Sequence, residues 1–413
     1  MKRIAVIGAG ITGVTTAFEL HQRGFEVVVY DRNRYAAMET SFANGGQLSA
    51  SNAEVWNTVA TVLKGIKWMA RHDAPLLVNP RPSWHKLSWM AEFLANIPKY
   101  QSNTIATAAL AVQSRKGMTE MAQIAGLNFD WSPAGILHFY KKQKDLDHAR
   151  NVTELLRQGG VDRRELSVDE VRQKAPTLRG DLVGGFWTES DSTGDIHKFT
   201  FELAQWLSAQ GVQFQMGQEI SQLHSKNGVT TVNGARFDGA VVCAGVGSRS
   251  LARKLGDRVN IYPVKGYSIT VNMADSVSLS GAPQVSLLDD DAKIVTSRLG
   301  KGRFRVAGTA EFNGYNRDIR ADRIAPLTKW VETHFPDVST ENVTPWAGLR
   351  PMMPNMMPKV GAGRAEGVFY NTGHGHLGWT LSAATAGLVA TQVQSHFQNS
   401  KPRTSGGFSF KTA

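Results

Sequence analysis

The chain has 413 residues, 42% hydrophobic and 20% charged, with a formal net charge of +11 and a pI near 9.7. That length exceeds one ordinary core and predicts two or three domains; no run approaches the about 18 apolar residues needed to cross a bilayer, which excludes an integral membrane protein. The single cysteine, Cys243, excludes an intramolecular disulfide, a redox-active dithiol and a Cys-ligated iron–sulfur cluster, and no histidines have metal-ligand spacing, so no metal is expected.

The first predicted element is the apolar strand Arg3–Ile7, which runs into Gly8-Ala9-Gly10-Ile11-Thr12-Gly13 and an apolar helix through Leu20. This pattern predicts a nucleotide cradle. Gly8 makes the tight turn, Gly10 lets the backbone approach a pyrophosphate, Gly13 lets helix pack on strand, and the helix N-terminus points at the phosphates. Gly24 reads as a C-cap. A second strand over 27–30 ends at Asp31, 18 residues after Gly13, where a carboxylate would accept hydrogen bonds from ribose hydroxyls. The bland alternative is a glycine-rich βαβ unit with no nucleotide. Met1-Lys2-Arg3 ahead of an apolar run imitates a signal peptide, but cleavage there would remove the cradle, so the chain reads as uncleaved and cytoplasmic.

Helical patterns follow over 53–70, 88–93, 104–126, 144–159 and 197–211, and strand patterns over 135–140, 185–188, 267–271 and 293–296, suited to a mixed or antiparallel sheet. Between Lys64 and Trp89 the basic Lys64, Lys67, Arg71, Arg81 and Lys86 interleave with Trp68, Trp84 and Trp89, opposed only by Asp73. Such a face suits a membrane interface; the alternative is a solvated helix face with inward tryptophans. A nucleotide-type segment returns at 212–214, with a hairpin at 229–232 and an apolar strand at 239–244 ending at Gly245. That strand is expected beside the first in a parallel sheet, which makes the nucleotide domain discontinuous and Cys243 a buried structural thiol. Gly361-Ala362-Gly363 lacks the cradle spacing and reads as a turn. The last helix, 379–394, follows a glycine-rich loop and offers a second positive pole to an electron-rich ligand atom. The polar tail 399–413 is expected to be loosely ordered.

Three further segments carry a family resemblance: Glu39-Thr40-Ser41-Phe42-Ala43-Asn44-Gly45-Gly46-Gln47-Leu48-Ser49, Gly348-Leu349-Arg350-Pro351, and the loop from Asn371 to Trp379. With Ser192-Thr193-Gly194-Asp195 and Tyr262-Pro263-Val264-Lys265-Gly266-Tyr267, they make essentially the whole chain resemble the flavin-dependent D-amino acid dehydrogenases. The related glycine and sarcosine oxidases share several of these motifs. The resemblance implies an α/β fold: a discontinuous glutathione-reductase-like Rossmann domain for FAD (1–60, 190–260 and 345–413) and a substrate domain with a mixed β-sheet (61–189 and 261–344). It implies FAD rather than NAD. By motif match, Gly8, Ala9, Gly10, Ile11, Thr12, Gly13, Asp31 and Arg32 hold the ADP half, and Ile220 presents backbone to the adenine. Ser41, Asn44, Gly45, Gly46, Gln47 and Leu48 run along the pyrophosphate, ribityl chain and ring, with Gly373, His374, Leu377, Gly378, Trp379 and Thr380 toward the pyrimidine end. As an alternative, Ser41 and Asn44 simply cap turns.

Arg350 offers a planar, bidentate fork to a carboxylate. Its neighbours are small or apolar, so an unpaired guanidinium would be costly, and the residues leave two partners open: a substrate carboxylate or a protein one. The resemblance implies the substrate. It also implies substrate-side places for Tyr267 and His376, against the alternatives of a packed strand tyrosine and an exposed loop histidine. One departure is notable. Where the family usually reads arginine, proline, methionine, threonine, proline, aspartate, glycine, this chain has Arg350-Pro351-Met352-Met353-Pro354-Asn355-Met356, losing a charge and becoming more pliable, with consequences for substrate range and flavin potential. The implied reaction is oxidative deamination of a D-amino acid to a 2-oxo acid and ammonia, with hydride transfer to FAD and electrons passed to a quinone or respiratory acceptor. Peripheral membrane contact through Lys64 to Trp89 would serve that transfer. The rivals are an oxygen-using glycine or sarcosine oxidase, a non-catalytic flavin-binding subunit, and a tRNA-modifying flavoprotein. No residues remain for an RNA module, so no nucleic-acid partner is expected.

Overall fold

The computed structural model describes residues 1–68 and 76–399; Arg71, Asp73 and the tail beyond 399 lie outside the described residues. The strand Arg3–Ile7 is buried along almost its whole length and forms the middle of a six-stranded sheet. On one side it pairs in parallel with Glu26–Asp31, then Gln213–Met216; on the other with Gly239–Val242, then Val368–Thr372. Continuous apolar runs such as Val27-Val28-Val29 are what a parallel sheet covered on both faces requires. The register Ile4↔Gly239 through Ile7↔Val242 places Cys243 and Gly245 just beyond the end of the first strand, as expected. Lys359–Ala362 closes the sheet antiparallel to Val368–Thr372, so Gly361-Ala362 belongs to a strand and the expected turn begins only after it.

The first helix, Ile11–Gln22, packs back on this sheet through Val14, Ala17 and Phe18, and the last helix, Gly378–Asn399, lies beside it. Gly13 makes the close approach possible: a Cβ there would fall 1.8 Å from the Gly8 carbonyl oxygen. Gly8 itself sits at φ +112°, a conformation side chains rarely adopt, and its N–H donates to the Tyr30 carbonyl at 2.7 Å.

A second, mixed sheet runs in the order Val343–Met352, Tyr262–Asn272, Arg303–Phe312, Ile294–Leu299, Ser286–Asp289, Ile136–Tyr140, Gly184–Thr188, Arg164–Leu166, with Leu76–Val78 joined to Arg303–Phe312. Arg303–Phe312 and Val343–Met352 carry no simple alternation and gave no strand signal in the sequence. One face of this sheet is covered by the helix Ala321–His334 through Leu327, Trp330 and Val331. Its other face is stitched to the loop between the sheets: Ser268 Oγ donates to the Ala43 carbonyl, Ser297 Oγ to that of Gly45, and Arg305 Nη1 to that of Asn44. The predicted helix over 53–70 is described as Val59–Trp68, with 69 and 70 outside the described residues, and its expected beginning is an irregular segment. In that segment Ala53 is buried in the core, while Asn52, Glu54, Val55 and Trp56 border the space between the sheets.

Candidate active site

A single cavity of about 1380 Å³ runs from the first strand–helix turn to the inner face of the mixed sheet. It is larger than the roughly 300–1000 Å³ usual for small-ligand pockets, as a long dinucleotide plus a substrate would require. At one end it is bordered by Gly8, Gly10, Ile11, Thr12, Asp31, Arg32 and Ile220, and further along by Ser41, Asn44, Gly45, Gly46 and Gln47. Gly373, His374, Leu377, Gly378, Trp379 and Thr380 complete the wall. Three residues expected to contact the cofactor do not border the cavity. Ala9 is in the core, Gly13 is turned to Gly8, and Leu48 packs on the hydrophobic cluster of the six-stranded sheet. They shape the cradle from behind.

Several polar side chains at this end serve the scaffold. Ser41 Oγ accepts the Ile11 N–H at 3.0 Å, supplying the cap that Gly10 lacks, and Asn44 Oδ1 accepts the Gly46 N–H at 2.9 Å. The turn-capping alternative for both residues therefore describes their side chains, while their backbone follows the cavity. Asp31 accepts N–H groups of Ala9 and Asn33 at 2.7 and 2.8 Å, fixing the carboxylate at the cavity edge. Glu39, absent from the expected contacts, bridges Arg32 and Arg317; burial opposes its charge, but the two guanidinium groups hold its carboxyl below the usual range. His374 is buried with Nε2 on Thr385 Oγ1, and burial pushes its pKa down to about 3, so its ring is a neutral packing group.

At the other end stands Arg350. Among the described residues no carboxylate lies within 4 Å of it, and its protein hydrogen bond runs from Nη1 to the Thr309 carbonyl at 2.9 Å. Burial alone pushes its pKa down to about 10, the mark of a desolvated cation awaiting an anion. Of the two partners the sequence left open, the protein carboxylate is absent. His376 faces the same region, stacked on Trp56 with ring centroids 4.6 Å apart. Its ring nitrogens make no hydrogen bond of normal geometry, although the Asn52 backbone lies close by; burial first, then Arg350, push its pKa down to about 4.

Tyr267 is placed differently from expectation. Arg350 lies across from Val264, and alternation along Tyr262–Asn272 sends Tyr267 to the opposite face, among Ile269, Val271 and Leu327. Its hydroxyl donates to Glu311 at 2.6 Å, and Glu311 is paired with buried Lys265 at 3.3 Å. Tyr267 is the packed strand tyrosine of the alternative reading, although it touches the cavity border.

A family described as FAD dependent oxidoreductase matches residues 3–392. The chain belongs to that family. FAD is therefore the cofactor of this oxidoreductase, and the residues present fit it. Buried Gln47 Oε1 and Trp379 Nε1 lack a protein partner at the cavity wall, where a cofactor would supply one. The chain is 58% identical over 400 residues to "D-amino acid dehydrogenase 3" of Mesorhizobium japonicum, covering 95% of this chain and 97% of that one. It is 38% identical to a D-amino acid dehydrogenase of Dechloromonas aromatica, covering 95% and 96%. Its fold is shared with glycine oxidase from Geobacillus kaustophilus, with a TM-score of 0.75, 20% identity and 95% coverage of both chains.

The basic, tryptophan-bearing stretch of this oxidoreductase is less basic and more apolar on its surface than the sequence suggested. Lys86 is buried, its Nζ donating to the carbonyls of Asn79 and Arg81, and Trp89 is buried with Nε1 on the Met352 carbonyl. In contrast Val59, Leu63 and Ile66 form an exposed stripe on the Val59–Trp68 helix, and Trp84, Leu87 and Leu94 another on Trp84–Ala95; Trp84 is 81% exposed. Both helices also border the cavity, through Val62, Ile66, Met90 and Phe93 among others. Among the described residues no helix is long and apolar enough to cross a membrane.

With its pKa pushed down to about 4, His376 is neutral throughout the ordinary working range. Binding of a simple carboxylate such as propionate, followed by the shift of the flavin band, is therefore expected to be flat from about pH 5.5 to about pH 8.5. A transition near pH 6.5 that disappears in His376→Asn would contradict this placement.

Proposed function

We propose that the chain is a D-amino acid dehydrogenase that binds the substrate carboxylate on Arg350 and oxidises the Cα–N bond to an imino acid, which water converts to a 2-oxo acid and ammonia. The observation that carries the reading is the uncompensated, desolvated guanidinium at the far end of a cavity that begins at a dinucleotide cradle. The identity to proteins named D-amino acid dehydrogenase supplies the substrate class. FAD, when bound, supplies the acceptor for the two electrons and the α-hydrogen.

The residues of the chain bind and orient. Gly8, Gly10, Thr12 and Asp31 hold the ADP half, with the 41–47 loop and the Gly378 end of the last helix along the rest. Arg350 neutralises and aligns the carboxylate, and that alignment is where orientation gains rate. Neutral His376, braced by Trp56, walls the substrate space without adding a second cation beside Arg350. No protein base is assigned, since the working role of the protein is placement. On this reading the cofactor segments are 1–60, 190–260 and the part after Met352, because Val343–Met352 runs in the substrate-side sheet.

The electron acceptor is proposed to be a membrane quinone, reached through the apolar arm between the Val59–Trp68 and Trp84–Ala95 helices, with their exposed stripes resting on lipid. Partial insertion of Leu63 and Trp84 would bury apolar surface at about 25 cal/mol per Å², with basic neighbours favouring anionic headgroups.

Replacing Arg350 by Leu is expected to leave FAD content unchanged and to lower kcat/KM for D-alanine by about 10³-fold, measured by anaerobic flavin reduction. Wild-type efficiency in that variant would refute the assignment. For the membrane contact, co-sedimentation with anionic vesicles is expected to fall about tenfold in a Leu63→Gln, Trp84→Gln double variant whose flavin reduction is intact. Equal sedimentation of both proteins, or none by the wild type at low salt, would remove the lipid contact.

A further inference from the structure

The pairing of Tyr262–Asn272 with Arg303–Phe312 slips between Lys265, opposite Glu311, and Tyr267, opposite Gly308. Gly266 is thus opposed by two residues, Thr309 and Ala310, a β-bulge beside the cavity. Thr309 stands at φ +59°, in the left-handed region where a β-branched residue is strained. Its hydroxyl has no hydrogen-bond partner, so the side chain does not anchor the bulge. Its carbonyl accepts Arg350 Nη1 at 2.9 Å. On the other strand, a Cβ on Gly266 would lie 2.4 Å from Cζ and Nη2 of Arg350 and 2.5 Å from Nη1. The guanidinium lies directly on a residue that offers it no side chain.

We propose that Gly266 and the Thr309 bulge form a seat that aims Arg350, so that both are positioning residues for recognition of the substrate carboxylate. This rests on the reading of Arg350 given above and adds the device that orients it. A carbonyl suits the task better than a carboxylate would. It fixes one arm of the fork by a hydrogen bond but leaves the positive charge unneutralised, so the remaining N–H groups keep their demand for an anion. A flat glycine floor lets the planar group lie against the sheet with its free edge toward the cavity, and the bulge turns the carbonyl out of the ladder to meet it.

The test is Gly266→Ala, alone and in the R350L background. Binding is read from the flavin band with propionate, a carboxylate without an amine, and alaninol, an amine without a carboxylate. Gly266→Ala is expected to weaken propionate about tenfold or more and leave alaninol within about twofold. In the R350L background it is expected to have no further effect on propionate. If Gly266→Ala loses FAD but regains it in the R350L background, the clash with the guanidinium is the cause and the seat stands. Equal weakening of alaninol, the same loss of propionate without Arg350, or loss of FAD in both backgrounds would each overturn the proposal. Because propionate binding needs no turnover, a chain that failed to oxidise D-amino acids would still report on the seat.

Discussion

Gly13 rests against the carbonyl of Gly8 with no room for a methyl group, and most of the cofactor end follows from that contact. It brings the first helix down onto the first strand, directs the helix N-terminus into the cavity, and sets the turn at whose edge Asp31 is held by the Ala9 and Asn33 N–H groups. The apolar faces of Val14, Ala17 and Phe18 then secure the helix in a large shared core. The cap of this helix comes from Ser41, thirty residues further on, which ties the 41–47 loop to the same end. That loop is in turn fastened to the mixed sheet by Ser268, Ser297 and Arg305, so the two sheets share one wall. The distance between cradle and substrate end is therefore set by a chain of short polar contacts as well as by core packing.

The far end depends on an electrostatic imbalance. A buried guanidinium without a carboxylate is unfavourable in a finished protein interior and reasonable in a site completed by an anionic ligand. Neighbouring charges are kept away from it. Lys265 and Glu311 satisfy each other on the opposite face of the same strands, with Tyr267 added to their network, and His376 is held neutral. A second cation beside Arg350 would weaken selectivity for a single carboxylate, and a nearby anion would abolish it. On the remaining side the cavity is bordered by the Val59–Trp68 and Trp84–Ala95 helices, which also carry exposed apolar residues.

How much of this was legible in the sequence depended on how local each signal was. The cradle, Asp31 and the strand ending at Gly245 were readable because glycine spacing and apolar runs act within a few residues. Arg350 was readable for a related reason: a charge among apolar neighbours signals its own cost. The strands Arg303–Phe312 and Val343–Met352 were not, since the bulge at Thr309 mixes the inward and outward residues of the first, and the second is assembled only by pairing with the distant Tyr262–Asn272. The face of Tyr267 is fixed by strand register, which the residue type does not carry. The stretch from Ala53 reads as helical from its apolar residues, yet it is an irregular segment in which Ala53 is buried and Glu54, Val55 and Trp56 border the cavity. Lys86 shows the limit of composition: a lysine that reads as surface is buried with its ammonium on backbone carbonyls, while Trp89 packs inward as in the alternative reading.

The account stands most directly on what reduces the bound flavin. Purified, flavin-loaded protein mixed anaerobically with D-alanine, L-alanine, glycine or sarcosine, with the flavin absorbance followed in time, should bleach with D-alanine alone. Bleaching by glycine or sarcosine instead, or by none of the four, would contradict a D-amino acid dehydrogenase built around Arg350.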